Sequence, residues 1–143
     1  MADCIFCRIV AGDLPGSLVF RDEQCAAFMD IQPVNSGHLL VVPLRHAAYL
    51  SDLDAATASH LMIVTHRIAA ALRATSLRCE GVNLLLADGE AAGQEVFHVH
   101  MHVIPRYAGD GFGFRFGPKY TNLPPREQLE SVAGQIRAVL GGR

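Results

Sequence analysis

The chain has 143 residues, of which 50% are hydrophobic and 18% charged. That balance excludes a disordered chain, and the length matches about one domain of ~100–200 residues. With 12 Lys and Arg against 14 Asp and Glu, the net charge is −2 and no long block of one sign occurs. A dedicated DNA-backbone binder or a polybasic membrane anchor would need the opposite. No apolar run reaches the ~18 residues of a membrane span. The longest, 61–72, is broken by Thr65, His66 and Arg67. The first residues lack the basic and apolar regions of a signal peptide. The chain therefore reads as cytoplasmic, with its four cysteines reduced.

In chain order, residues 4–10 form a short helical turn or loop, ended by Gly12 and Pro15. Residues 17–20 and 25–29 flank a polar turn, Arg21 to Gln24, and read as a hairpin. The segment 31–37, with Pro33, Asn35 and Gly37, is a loop, and 38–43 is a short apolar strand. Residues 55–74 carry helical periodicity: Ala58, Leu61, Met62, Thr65, Ile68, Ala69 and Leu72 fall on one stripe, with Ile63 off it. A strand at 82–87 leads into the glycine-punctuated loop 88–94, and a long strand follows at 96–105. The stretch 107–125 is irregular. A last helix spans about 126–140, with Leu129, Val132, Ile136 and Val139 facing inward and Gly141-Gly142 as its stop. Strands, one central helix, more strands and a terminal helix predict an α+β fold with an antiparallel sheet. We read it as a single domain over 1–143, with its core at about 4–106 and a C-terminal tail and helix at 107–143.

The sharpest chemical signal is His98, His100 and His102. On a strand of period two, all three point to one face, while Phe97, Val99, Met101 and Val103 point to the other and form core. A solvated histidine face, a catalytic metal site and nucleophilic catalysis by a neutral imidazole all fit that pattern. The adjacent loop favours the third, because exposed N–H groups around Gly89 and Gly93, with the Gln94 amide, can cradle phosphate oxygens. Cys4 and Cys7 form a CxxC, which in a reducing compartment points to metal or redox chemistry, or to two ordinary thiols.

The run HVHMHVIPR at 98–106 resembles the His-x-His-x-His motif of the histidine triad (HIT) superfamily. CIFCRIVAGDLP at 4–15, FMDIQPVNSGHLLVVPLRH at 28–46 and DGEAAGQEVFHVHMHVIPR at 88–106 are similar to bacterial members of its Hint branch. The resemblance implies a small α+β HIT domain, a homodimer, and hydrolysis or transfer of nucleoside monophosphates. It implies His100 as the nucleophile, His102 beside the phosphate and leaving group, and His38 as support from a neighbouring strand. It places the ribose on Asp30 and Ile31, the base among Ile5, Phe6, Phe28 and Leu40, and the phosphate near Gly93, Gln94 and Glu95. It also makes Cys4, Cys7, His46 and His98 the ligands of one structural zinc per subunit. Ala87 departs from the Asn of many relatives and Glu95 from the Ser of animal Hint proteins, which removes two polar contacts to phosphate. The expected activity is that of a purine nucleoside phosphoramidase or related nucleotidyl hydrolase acting on a small-molecule nucleotide, with no nucleic acid or membrane partner. A dinucleoside polyphosphate hydrolase and a nucleotide-binding interaction module with vestigial turnover are the alternatives.

Overall fold

The structure is a computed structural model and describes residues 3–141. The chain divides after Gly111 into two compact units, 1–111 and 112–143. The first unit holds α1 (Ile5–Ala11), β1 (Leu18–Arg21), β2 (Cys25–Met29), β3 (Leu39–Pro43), α2 (Ala55–Arg73), β4 (Gly81–Leu85) and β5 (Met101–Arg106). Its five strands form one antiparallel sheet in the order β1-β2-β3-β5-β4.

Alternation along the inner strands sorts side chains onto two apolar faces. Cys25 and Ala27 of β2, Leu39 and Val41 of β3, and Val99 and Val103 pack on one side with Leu61, Val64, Ile68 and Leu72 of α2. Ala26, Phe28, Leu40 and Val42 pack on the other with Phe6 and Val10 of α1. Both faces of β2 and β3 are thus covered, which is why these strands read as continuous apolar runs. The helices are capped by their own flanks. Cys4 Sγ accepts from the Cys7 N–H, Gly12 closes α1 in the left-handed region at φ 86°, and Asp54 accepts from the Thr57 N–H at the start of α2.

Five expectations are corrected. The buried line of α2 runs through Val64, whereas Met62 lies beside Ile63 on the exposed face. The strand expected at 82–87 ends at Leu85, and that expected at 96–105 begins only at Met101. Before it the backbone leaves the sheet and pairs with the 44–48 segment instead, the Val99 N–H donating to Ala47 O at 2.8 Å. Phe97 sits in this bent approach, so it escapes the strand alternation, stays exposed and meets Tyr49 edge-on. In the second unit, α3 (Arg126–Leu140) leaves Leu129, Val132, Ile136 and Val139 exposed rather than inward. Phe116 stacks on Tyr120 in that unit, with ring centroids 3.9 Å apart.

Gly37 joins the 31–37 loop to β3. Its φ is +98°, and a Cβ there would stand 2.9 Å from Leu77 Cδ1 and 3.1 Å from Pro105 Cγ. Gly37→Ala therefore meets left-handed strain and a packed wall together, and should destabilise the protein by about 3 kcal/mol in urea unfolding.

Candidate functional site

On the α1 face of the sheet lies a cavity of about 430 Å³. Ile5 and Phe6 of α1 and Phe28 and Leu40 of the sheet form its apolar wall. Asp30 and Ile31, just past β2, line it together with Gly93, Glu95, His38, His100 and His102. Ile9, Pro15, Gly16, Gln32 and Val96 also line it and were not expected from the sequence. Gly16 carried a usable signal, since a Cβ there would fall 2.6 Å from Ile9 Cγ2 and only glycine admits that approach.

One expected contact is absent from the cavity wall. Gln94 is buried, and its amide is committed to the backbone: Nε2 donates to Ala48 O (2.7 Å) and Val96 O (3.1 Å), and Oε1 accepts from the Gly89 N–H (2.8 Å). It shapes the 88–94 loop instead of reaching into the cavity. Ala87 is likewise buried and lines no part of it.

The three triad histidines do share one face, the face covered by α1. Phe6 lies edge-on to both His98 and His100, at 6.0 and 5.1 Å, and His100 to His102 at 4.9 Å. His100 Nδ1–H donates to His98 O at 2.7 Å, which fixes its tautomer and leaves Nε2 with a free lone pair. Burial holds the His100 pKa below the usual imidazole range, against the opposing effects of that hydrogen bond and of Asp30. His102 is lowered to about 4, by burial first and then by the neighbouring His100 and His38. Burial also lowers His38. The site therefore presents neutral imidazoles at pH 7. A neutral ring with a free nitrogen can attack an electrophilic phosphorus.

Below His100, the donor atoms of Cys4, Cys7, His46 and His98 all lie within 4.8 Å of one another. Cys4 Sγ and Cys7 Sγ are 3.4 and 3.5 Å from His98 Nδ1, and Cys7 Sγ is 3.4 Å from His46 Nδ1. Zinc–sulfur bonds of about 2.3 Å and zinc–nitrogen bonds of about 2.0 Å at tetrahedral angles separate S and N by about 3.5 Å. The donor set and its spacing fit zinc. His98 Nε2–H donates to Pro43 O at 2.8 Å, turning the Nδ1 lone pair toward the thiols, as an outer-shell acceptor does for a metal-bound histidine. A second group, Asp30, His38 and His102, also gathers three donor atoms. It fits a metal less well, because the Val34 N–H donates to His38 Nδ1 and leaves the His38 proton on Nε2, the atom a metal would need.

The family model described as the HIT domain matches residues 11–109. The chain belongs to the HIT family. An uncharacterized HIT-like protein of Borreliella burgdorferi is 45% identical over 137 residues, 95% of this chain and 97% of that protein. The adenylylsulfatase HINT3 of Arabidopsis thaliana is 35% identical over 112 residues, 76% of this chain and 54% of that protein. A zinc-bound histidine triad family protein from Mycobacterium smegmatis has a crystal structure that matches with a TM-score of 0.76 at 37% identity, covering 96% of this chain and 98% of that one. The HIT fold here is thus the expected α+β arrangement with an antiparallel sheet. Among the described residues, no helix of this HIT protein is long and apolar enough to cross a membrane.

The histidine pKa values give the HIT site an acid-side signature. His102 titrates at about 4 when folded and near 6.5 when unfolded. Between those values the unfolded chain binds more protons, so this contribution is complete above 6.5 and is lost as pH falls toward 4. The melting temperature should fall across that window, and less steeply in His102→Gln, when melts of both proteins are recorded over the same pH series.

Proposed function

We propose that this protein is a nucleotidyl hydrolase of the histidine triad type. On this reading it cleaves nucleoside 5′-phosphoramidates, or related P–N and P–O nucleotidyl bonds, through a covalent nucleotidyl–His100. The observation that carries the proposal is the His100 Nδ1–H bond to His98 O, which leaves a neutral Nε2 at the wall of the cavity. The base lies between Ile5, Phe6, Phe28 and Leu40. The carboxylate of Asp30 accepts from the ribose hydroxyls, with Ile31 beside the sugar. The phosphate lies by Gly93, Glu95, His100 and His102.

In the first step the Nε2 lone pair forms a bond to the α-phosphorus and the bond to the leaving group breaks with its electron pair. His102 donates a hydrogen bond on that side, His38 supports its ring, and a leaving amine takes its proton from solvent. Water then attacks phosphorus and loses a proton, and the N–P pair returns to His100. The Arabidopsis relative bears the name adenylylsulfatase, and that name supports this reading over a pure binding module.

Cys4, Cys7, His46 and His98 would hold one zinc per subunit. With four protein ligands the metal would offer substrate no position, and it would supply cross-linking of the start of α1 to the His98 segment. The exposed pairs Met62–Ile63 on α2 and Leu84–Leu85 on the edge strand β4 support a homodimer. The free cysteines accord with a cytoplasmic setting.

His100→Ala should lose turnover of an adenosine phosphoramidate by at least about a thousandfold, as for removal of a covalent nucleophile. Binding of adenosine monophosphate should be little changed, and quenched wild type should carry nucleotide that the variant lacks. A loss under tenfold would sink the nucleophile assignment, and wild-type binding without turnover would favour the interaction module. Separately, protein purified without chelator should contain one zinc per chain. Stripping it should lower the melting temperature while reducing activity only in part, since no step uses the metal as a Lewis acid.

A further inference from the structure

We propose that the backbone N–H of Val34 fixes the tautomers of His38 and His102, and that Asn35 and Asp110 are positioning residues that hold this N–H in place. The inference rests on the reading of His102 as the donor facing the leaving group. It concerns what makes His102 a donor at all, because a neutral imidazole turned the other way would present a lone pair to phosphate oxygens and repel them.

The wiring follows from three contacts. The Val34 N–H donates to His38 Nδ1 at 3.0 Å, so Nδ1 carries the lone pair and the single proton of the neutral ring sits on Nε2. His38 Nε2 lies 2.9 Å from His102 Nδ1. Two lone pairs or two protons cannot face each other at that separation, so His102 Nδ1 accepts. The proton of His102 is then on Nε2, the ring nitrogen left for the cavity that His102 lines. Asp30 Oδ2, 3.5 Å from His38 Nε2, favours the same N–H orientation.

A backbone N–H directs a side chain only if its loop stays still, and the 31–37 loop is pinned. The Asn35 side chain is buried and spends both amide hydrogens, on Pro105 O (2.8 Å) and on Asp110 Oδ2 (2.7 Å). The Asn35 backbone carbonyl accepts from the His38 backbone N–H at 3.0 Å. Asp110, its side chain buried, is gripped by Arg106 through two bonds of 2.6 and 2.8 Å. The end of β5 thereby anchors a loop that reaches, through His38, back to a histidine of β5, closing a ring of hydrogen bonds.

The test is nitrogen-15 NMR of the histidine rings in the metal-replete protein, with kinetics on two variants. In wild type, Nδ1 of both His38 and His102 should resonate as unprotonated nitrogen and Nε2 of both as protonated nitrogen. Replacing the Val34 amide by an ester removes the N–H without changing the side chain. It should mix the His38 and His102 tautomers and lower kcat by about ten- to a hundredfold with KM unchanged, the scale of losing an outer-shell partner. Asn35→Ala should do the same to a lesser degree. A His102 protonated at Nδ1 in wild type, or unaltered tautomers in the ester variant, would overturn the proposal. Tautomers that mix while kcat holds would also overturn it. The ring signals are read without substrate, so a wild type that binds nucleotide but does not turn it over would refute the hydrolase reading and leave this wiring to be judged on its own.

Discussion

Much of the first unit converges on the imidazole and carbonyl of His98. One residue donates Nε2–H to Pro43 at the end of β3, offers Nδ1 to the two thiols of the N-terminal segment, and accepts the His100 proton on its carbonyl. Buried completely, it must have every polar atom satisfied, since an unpaired buried group costs about 1–3 kcal/mol. Its four partners lie in β3, at the start of α1 and in its own approach to β5. Satisfying His98 therefore sets the approach of α1, the bend before β5 and the tautomer of the nucleophile together. No described buried side-chain nitrogen or oxygen is left without a partner.

That constraint explains which parts of the fold were legible in the sequence. Strands β2 and β3 were readable because both their faces are buried, so hydrophobicity alone marks them. The histidine face was readable because the side-chain alternation survives into residues 98–100 even though the ladder does not. What alternation could not show is that Val99 pairs with Ala47 and that Phe97 turns out of the core, because hydrogen bonding to a distant loop decides both. The stripe on α2 was misdrawn at Met62 for a related reason. Periodicity locates an apolar arc, but the sheet's position selects which edge of that arc is buried.

At the site, the catalytic and nucleotide-binding residues expected from the motif resemblance fall around one cavity, with Gln94 the exception. A glutamine beside two glycines invites the reading of a phosphate cradle. Yet its amide already has three backbone partners, and a buried amide takes such partners first. Backbone groups are invisible to motif reading altogether. The Val34 N–H has no side-chain signature, and its role emerges only from where the 31–37 loop lies against β5. The same holds for the electrostatics: burial keeps His38, His100 and His102 neutral, and burial is a property of the assembled layers.

The brevity of α1 has a further consequence. Seven residues make about two turns, far below the ~12–15 at which a helix sustains itself in water. Its persistence depends on Phe6 and Val10 packing on the sheet and on Cys4 and Cys7 being tethered at its start. Ile5, Phe6 and Ile9 are also cavity wall. Detachment of this one segment is thus the low-energy opening of the unit, and it would dismantle the base slot and the metal corner in a single event. Amide hydrogens of α1 should then exchange together, ahead of the sheet, with occupancy of either site slowing exchange at the other.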